Sequence, residues 1–332
     1  MSNPTISRLL VTGGAGFIGS AFIRYLLEKV PHIEKVVNLD LLTYAGNLDN
    51  LSSVSSDPRY AFVHGDILNS PLAEQQIRTH EIEAIVHFAA ESHVDRSIEN
   101  PRAFYRTNVE GTLSLLEVLR RFPDLHFHHV STDEVYGSVE EGTFTEESLY
   151  QPNSPYAASK AASDHFVRAY ANTYGLSVTL SHSSNNYGPC QFAEKFIPRM
   201  ITGCLKEEPL PVYGKGINVR DWIYVEDHVE AIWLIVENGQ RGQTYNIGGK
   251  KELRNIDLLK MLIKRVAHAK GHQPEKYHSL ITFVEDRPGH DLRYSLQCEK
   301  IEKELGWEAS HPFELGLEKT IAWYLEHSHV EV

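Results

Sequence analysis

Short apolar runs recur through the first half of the chain, and most end in a small or acidic residue. The first is Arg8 to Thr12, which leads into Gly13-Gly14-Ala15-Gly16-Phe17-Ile18-Gly19. The others are Val36 to Leu39, closed by Asp40; Ala61 to Val63, ending in Gly65-Asp66; Ala84 to Phe88, ending in Ala89-Ala90; Leu125 to Val130; and Ser177 to Ser181. Helical stretches separate them: Ser20 to Lys29, with Phe22, Ile23, Leu26 and Leu27 on its apolar side, then Leu72 to His80, Thr107 to Arg121 and Pro155 to Tyr174. Strands alternating with helices at this spacing predict an α/β chain with a doubly wound parallel sheet. After about Ser184 the rhythm loosens, and proline and glycine cluster at Gly188-Pro189, Pro198, Pro209, Pro211, Gly214 and Gly216. The pattern predicts a sheet domain over residues 1–184 with a return near 219–247, and a smaller C-terminal lobe from 185–218 and 248–328. The end, His327 to Val332, is expected to fray.

Charge and cysteine content narrow the function classes. Of 332 residues, 42% are hydrophobic and 23% charged, as in ordinary globular proteins, and the formal net charge is -12. That balance argues against nucleic-acid binding. An anionic ligand would need particular arginines to hold it against the overall field. The three cysteines, Cys190, Cys204 and Cys298, have no metal-ligand spacing and fit a reducing compartment. No apolar signal core opens the chain and no run reaches membrane-spanning length, so a cytoplasmic protein with no membrane partner is expected.

Gly13, Gly16 and Gly19 stand at G-x-x-G-x-x-G spacing between a predicted strand and a predicted helix. Glycine there lets backbone amides approach a pyrophosphate at a helix N-terminus; a glycine triplet alone is equally a tight turn. Asp40, about 20 residues on at the end of the second strand, favours the dinucleotide reading and a Rossmann-like sheet. Its carboxylate suits ribose hydroxyls and repels a 2′-phosphate, so NAD is expected rather than NADP. Phe17, Ile18, Asp66, Ile67 and Ala89, with Tyr156 and Lys160, complete the expected cofactor contacts, although Asp66 is equally a turn aspartate.

Two features carry candidate chemistry. Ser131-Thr132-Asp133-Glu134 puts two carboxylates at the end of a buried strand, where they must be solvated, paired or used. Tyr156 and Lys160 are four apart at the start of a helix and share a face. An ammonium near the phenol would lower its pKa and make Tyr156 a base for an alcohol; the same spacing also occurs as plain surface packing.

The glycine pattern with the Tyr156–Lys160 pair resembles the extended short-chain dehydrogenase/reductases that act on nucleotide-sugars. Finer details, Thr132-Asp133-Glu134, Ser184-Asn185-Asn186-Tyr187-Gly188-Pro189, Asn218-Val219-Arg220-Asp221-Trp222 and Asp286-Arg287-Pro288-Gly289-His290-Asp291, resemble its 4,6-dehydratase branch over nearly the whole chain. The resemblance implies bound NAD, a nucleotide-diphosphate sugar substrate, and oxidation at C4 followed by loss of water across C5–C6. Tyr156 and Lys160 would serve the oxidation, with Thr132 orienting the hydroxyl, Asp133 as acid and Glu134 as base. Arg220 and Arg287 would clamp the diphosphate, as bidentate donors suit phosphate oxygens, and His290 would join them. Asn185 and Asn246 would add polar contacts, Glu194, Lys195 and Tyr213 would line the nucleobase pocket, and Ser92 and His93 would border the sugar, His93 being equally a plain loop histidine. The family also implies a homodimer through a four-helix interface formed by Thr107 to Arg121 and Pro155 to Tyr174.

Three positions depart from that pattern: Leu41 replaces a basic residue after Asp40, Cys190 an aromatic residue, and Ala193 a proline, the last two expected near the nucleobase pocket. Thymine and uracil stay open as the base, and a 4-epimerase is the nearest rival, one that lacks the Asp133-Glu134 pair. A catalytically silent NAD-sensing protein is disfavoured because the set Thr132, Asp133, Glu134, Tyr156 and Lys160 is intact. The histidines His126, His128 and His129 have no carboxylate at ligand spacing, so no metal is expected.

Overall fold

The computed structural model describes residues 5–327. Twelve strands are described, in chain order β1 (Arg8–Thr12), β2 (Lys35–Asp40), β3 (Tyr60–His64), β4 (Ala84–His87), β5 (His126–Thr132), β6 (Val178–Ser183), β7 (Asn185–Tyr187), β8 (Leu210–Tyr213), β9 (Val219–Tyr224), β10 (Thr244–Ile247), β11 (Glu252–Arg254) and β12 (Ile281–Val284). Seven form a parallel sheet in the order β10-β6-β5-β4-β1-β2-β3. Strand order reverses between β1 and β4, which is where such sheets open a crevice at their carboxyl ends.

Both faces of the sheet are covered, which explains why its strands read as apolar runs rather than alternating ones. Leu9 and Val11 of β1 point into a core shared with Phe22, Ile23 and Leu26 of helix Phe17–Lys29 and with Val229, Ile232 and Val236 of helix Val225–Asn238. Leu10, between them, points into the opposite core with Ile77 of helix Ser70–His80, Leu115 of helix Gly111–Leu119 and Val167 of helix Pro155–Tyr174. Each such fully buried leucine contributes roughly 1.5–3 kcal/mol over an exposed one.

A third core holds the rest: helices Phe196–Lys206, Asn255–Lys270 and Phe313–Glu326 pack around Trp222, Tyr224 and Tyr187. Here β9 pairs with β7 in parallel and β11 in antiparallel, and β12 pairs with β8. Segment 219–247, expected to rejoin the sheet as a unit, is divided between the two: β9 stays in the small sheet, while helix Val225–Asn238 and β10 join the large one. A second return was not expected. Leu296, Cys298, Ile301 and Trp307, assigned from sequence to the smaller lobe, fill the main-sheet core instead.

The expected helix Pro155–Tyr174 has those bounds, and its ends explain why. Ser154 accepts from the Ala157 amide as N-cap, Pro155 fits the first turn, and Gly175 ends the helix in the left-handed region at φ 69. The helix expected over Thr107 to Arg121 begins as a π-turn, Tyr105–Glu110, before regular helix Gly111–Leu119. The expectation about His327 to Val332 lies, apart from His327, outside the described residues.

Candidate active site

A cleft of about 550 Å³ lies at the carboxyl end of β1, β4, β5 and β6. Its floor on one side is the glycine turn. Gly13 has φ 71, and a Cβ there would lie 2.6 Å from the Ala89 nitrogen, so β1 and the loop after β4 touch backbone to backbone. At Gly19 an added Cβ would meet the Gly13 oxygen at 2.2 Å, which seats the helix tightly on the turn. Gly16 differs: a Cβ would meet only the Gly13 oxygen, at 3.3 Å, and otherwise enter open space. Helix Phe17–Lys29 starts there with no side-chain cap and no acidic residue in its first turn, which leaves backbone donors free for an anion. Asp40 accepts from the Ala15 amide at 2.9 Å and the Leu42 amide at 2.8 Å, and its remaining lone pairs border the cleft. Phe17, Ile18, Asp66, Ile67 and Ala89 line the same wall. These residues fit the dinucleotide expected from sequence.

Across the cleft β5 runs two residues further than expected: Ser131 and Thr132 pair with His182 and Ser183 of β6, and a short 3-10 turn, Asp133–Tyr136, follows. The ladder holds the backbone straight up to the residue before the acid pair. Asp133 is 2% exposed; its Oδ1 accepts from the Thr132 hydroxyl at 3.3 Å while Oδ2 has no partner. Burial and the adjacent Glu134 charge push its pKa well above the carboxylate range, against a pull from Arg220. Burial raises Glu134 too, but Arg287, Arg220 and Lys195 all oppose it. The two carboxyls therefore differ in proton affinity, with Asp133 the better holder of a proton.

Helix Pro155–Tyr174 brings Tyr156 and Lys160 to the same wall. The Tyr156 ring meets Phe104 edge-on at 6.2 Å. Its phenol is pushed upward by burial and by the Glu134 charge, with the Thr132 hydroxyl pulling the other way. In the resting site the net direction is thus opposite to the one expected from Lys160: its ammonium is turned onto the Val130 carbonyl at 2.9 Å and toward His129 Nε2 at 3.4 Å. Asn108, inside the π-turn, ties this helix to the loop after β4, since its side chain bonds both backbone groups of Glu91 and the Ser159 hydroxyl.

Compared with known proteins, residues 10–320 match the family model for GDP-mannose 4,6-dehydratase. A dTDP-glucose 4,6-dehydratase of Xanthomonas campestris pv. campestris is 51% identical over 95% of this chain and 92% of that protein. The chain belongs to the dTDP-glucose 4,6-dehydratase family. The dTDP-glucose 4,6-dehydratase DesIV of Streptomyces venezuelae, solved with NAD and TYD bound, superposes with a TM-score of 0.92 at 49% identity, covering 98% of this chain and 99% of that one. A UDP-glucose 4-epimerase of Thermotoga maritima shares the fold at 28% identity and a TM-score of 0.86, covering 96% of this chain and 99% of that one.

In this member of the dehydratase family, Ser92, Asn185, Glu194 and Lys195 line the cleft with the residues above. Tyr213, Arg287 and His290 do not line it. They form a neighbouring patch in which Tyr213 donates to Asp95 at 3.1 Å, Arg287 lies 3.6 Å from the same carboxylate, and His290 meets Asp286 at 2.6 Å. Three expectations are corrected. Asn246 is fully buried, with its carbonyl accepting from Tyr136 and its amide donating to Phe144, so it is a core residue behind the site. Arg220, 5% exposed, donates to the carbonyls of Val219 and Asp291 and stacks on Tyr294; it acts on the acid pair through its charge while those donors serve the backbone. His93 caps helix Val94–Glu99 by accepting from the Arg96 amide at 3.3 Å.

Sequence reading passed over a clasp beside the cleft. The Arg96 guanidinium sits 3.8 Å from the Tyr44 ring centre and bonds Glu194 at 3.1 Å, and Tyr44 meets Phe192 edge-on. No periodicity marks Tyr44 or Arg96, because one lies in the connection after β2 and the other in a helix of six residues, and only the tertiary fold brings them together. Of the departures, Leu41 is 44% exposed at the cleft, whereas neither Cys190 nor Ala193 lines it. Cys190 lies beside Arg24, and burial pushes its thiol upward. The strand histidines are spent on packing: His126 and His128 bond Thr179 and Ser181 of β6 and Ser177 just before it.

Proposed function

We propose that this protein is a cytoplasmic dTDP-glucose 4,6-dehydratase. The observation that carries the reading is the pair of buried Asp133 and half-buried Glu134, of unequal proton affinity, beside Tyr156 and Lys160 in one cleft. The glycine turn and the free N-terminus of helix Phe17–Lys29 would hold the pyrophosphate of NAD, and Asp40 the adenosine ribose. When bound, NAD accepts a hydride from the sugar C4 and gives it back at C6.

The side chains do the rest. Tyr156 takes the proton of the C4 hydroxyl, which Thr132 orients. The resulting 4-ketone acidifies the C5 hydrogen, and Glu134, whose charge is favoured by three nearby cations, removes it. Asp133, which holds its proton, gives it to the departing C6 hydroxyl, and water leaves. Glu134 then returns a proton to C5. The division follows the rule that one acid and one base of separated pKa are needed at the same pH. Lys195 and Arg287 bring positive charge close to Glu134 in an acidic protein, which suits a diphosphate, while Arg220 adds its charge from behind with its donors on backbone carbonyls. Ser92, Glu194 and Lys195 would face the sugar and base. Helices Gly111–Leu119 and Pro155–Tyr174 would pair with a second copy in a homodimer.

The 4-epimerases share this sheet, so the acid pair is what separates the two activities. Incubation with dTDP-glucose should give a base-sensitive 4-keto chromophore, with UDP- and GDP-glucose turned over more slowly. Recovery of dTDP-galactose without a keto product would assign epimerisation instead.

A further inference from the structure

Tyr156, Lys160 and Asp164 are each four residues apart on helix Pro155–Tyr174, and so lie in one row facing β5. Asp164 is fully buried and plays no part in the chemistry above. Its two oxygens are used unequally. Oδ2 takes the Ser131 hydroxyl at 2.9 Å, the Tyr150 hydroxyl at 3.0 Å and His182 Nε2 at 3.0 Å. Oδ1 has no aligned hydrogen bond, although it lies 3.2 Å from His129 Nε2. That same nitrogen lies 3.4 Å from the Lys160 ammonium and 3.2 Å from the Ser163 hydroxyl. The unshared carboxylate oxygen and a buried ammonium therefore meet at one imidazole nitrogen, and the ammonium is itself 4% exposed and bonded to a neutral carbonyl.

A buried cation needs a counter-charge or it gives up its proton. We propose that Asp164 is the counter-ion of the Lys160 ammonium, the two meeting at His129 Nε2, and thereby a positioning residue for the Tyr156–Lys160 pair. The inference rests on the dehydratase reading only for the use made of Lys160. Two hydroxyl donors on Oδ2, with His182 Nε2 beside them, lock the carboxylate, so the charge cannot swing away from Lys160. The neighbouring charges agree in direction. Burial brings Lys160 down to about 8, and Asp164 is the group that opposes this. Burial alone would raise Asp164, but His129 and His182 on either side hold it well below the ordinary carboxylate range. Burial, helped by the Lys160 charge, lowers His129 to about 4, so the ring between them is neutral at physiological pH. The other titratable groups facing this row are Asp133 and Glu134 at its Tyr156 end, His87, 5.3 Å from the His129 ring, and Tyr136 and Tyr150 behind His182, with the Arg168 guanidinium 5.0 Å over the Tyr150 ring.

The test reads the Lys160 Nζ titration by NMR of protein with labelled lysine, with the cofactor it carries, using Lys160→Arg to assign the signal. Asp164→Asn is expected to move that titration down by about one unit. Asp164→Glu, which keeps the charge, should leave it near wild type. Asp164→Ser is the second uncharged variant should the amide not fold. The alkaline limb of turnover with dTDP-glucose should move to lower pH with the titration, giving about a fivefold loss at pH 8 and less below pH 7. A role confined to packing would lower turnover equally at every pH. An unmoved Nζ titration in a folded uncharged variant would overturn the counter-ion; a moved titration with an unmoved limb would overturn the positioning role. The titration needs no substrate, so it holds or fails independently of the dehydratase reading.

Discussion

Tyr156→Phe is expected to lower turnover of dTDP-glucose about 10³-fold while leaving substrate affinity and melting temperature close to wild type. The ring keeps its edge-on contact with Phe104, and only the hydroxyl that takes the C4 proton is lost. In the resting site burial and the Glu134 charge hold the phenol protonated, so the cation of bound NAD and the Lys160 ammonium must together draw that proton off. Substrate added to the variant should leave the bound cofactor oxidised, as read by the absorbance of its reduced form. If the cofactor were reduced at the wild-type rate, another group would be the base.

Asp133→Asn should separate the two halves of the reaction. Loss of water slows by about 10²–10³-fold because the amide cannot protonate the leaving hydroxyl, while C4 oxidation proceeds. Reduced cofactor then accumulates on the enzyme in stopped-flow traces. The same substitution should raise stability. With its pKa raised by burial, folded Asp133 keeps a proton that the unfolded chain has already released. Its stability is fully present below the ordinary aspartate range and is lost as pH rises through the folded value. Asparagine removes that loss, so the variant gains stability at neutral pH. A melting series should show the variant above wild type at pH 7 and equal to it near pH 4. Equal melting at both would mean the carboxyl is not destabilised in the fold. A catalytic acid that costs stability is the expected trade at a functional site.

The doubly wound parallel sheet was legible because its strands before residue 184 are apolar runs, most of them separated by a helix; between β2 and β3 only the short turn Leu48–Leu51 intervenes. The glycine turn, Asp40 and the Tyr156–Lys160 spacing were legible because each is a local pattern with a geometric meaning. What stayed hidden depends on distant partners. Asn246 reads as a polar residue near the site, but Tyr136, more than a hundred positions earlier, claims its carbonyl. Arg220 reads as a phosphate clamp until the carbonyl of Asp291 takes its guanidinium. The return of Leu296 to Trp307 to the main core leaves no periodic signature, since it is short and crosses between two cores. The direction of the Tyr156 shift was missed for the same reason: helical spacing puts Lys160 on the right face, but the Val130 carbonyl and His129 decide where its ammonium points.

The central claim is that one cleft oxidises C4, removes water across C5–C6 and reduces C6 with the same hydrogen. The direct test is conversion of dTDP-glucose carrying deuterium at C4, with the product examined by NMR. The account predicts a 4-keto-6-deoxy sugar with the deuterium on C6 and solvent hydrogen at C5, where Glu134 exchanges its proton. A product that keeps deuterium at C4, or a keto sugar without deuterium at C6, would contradict it.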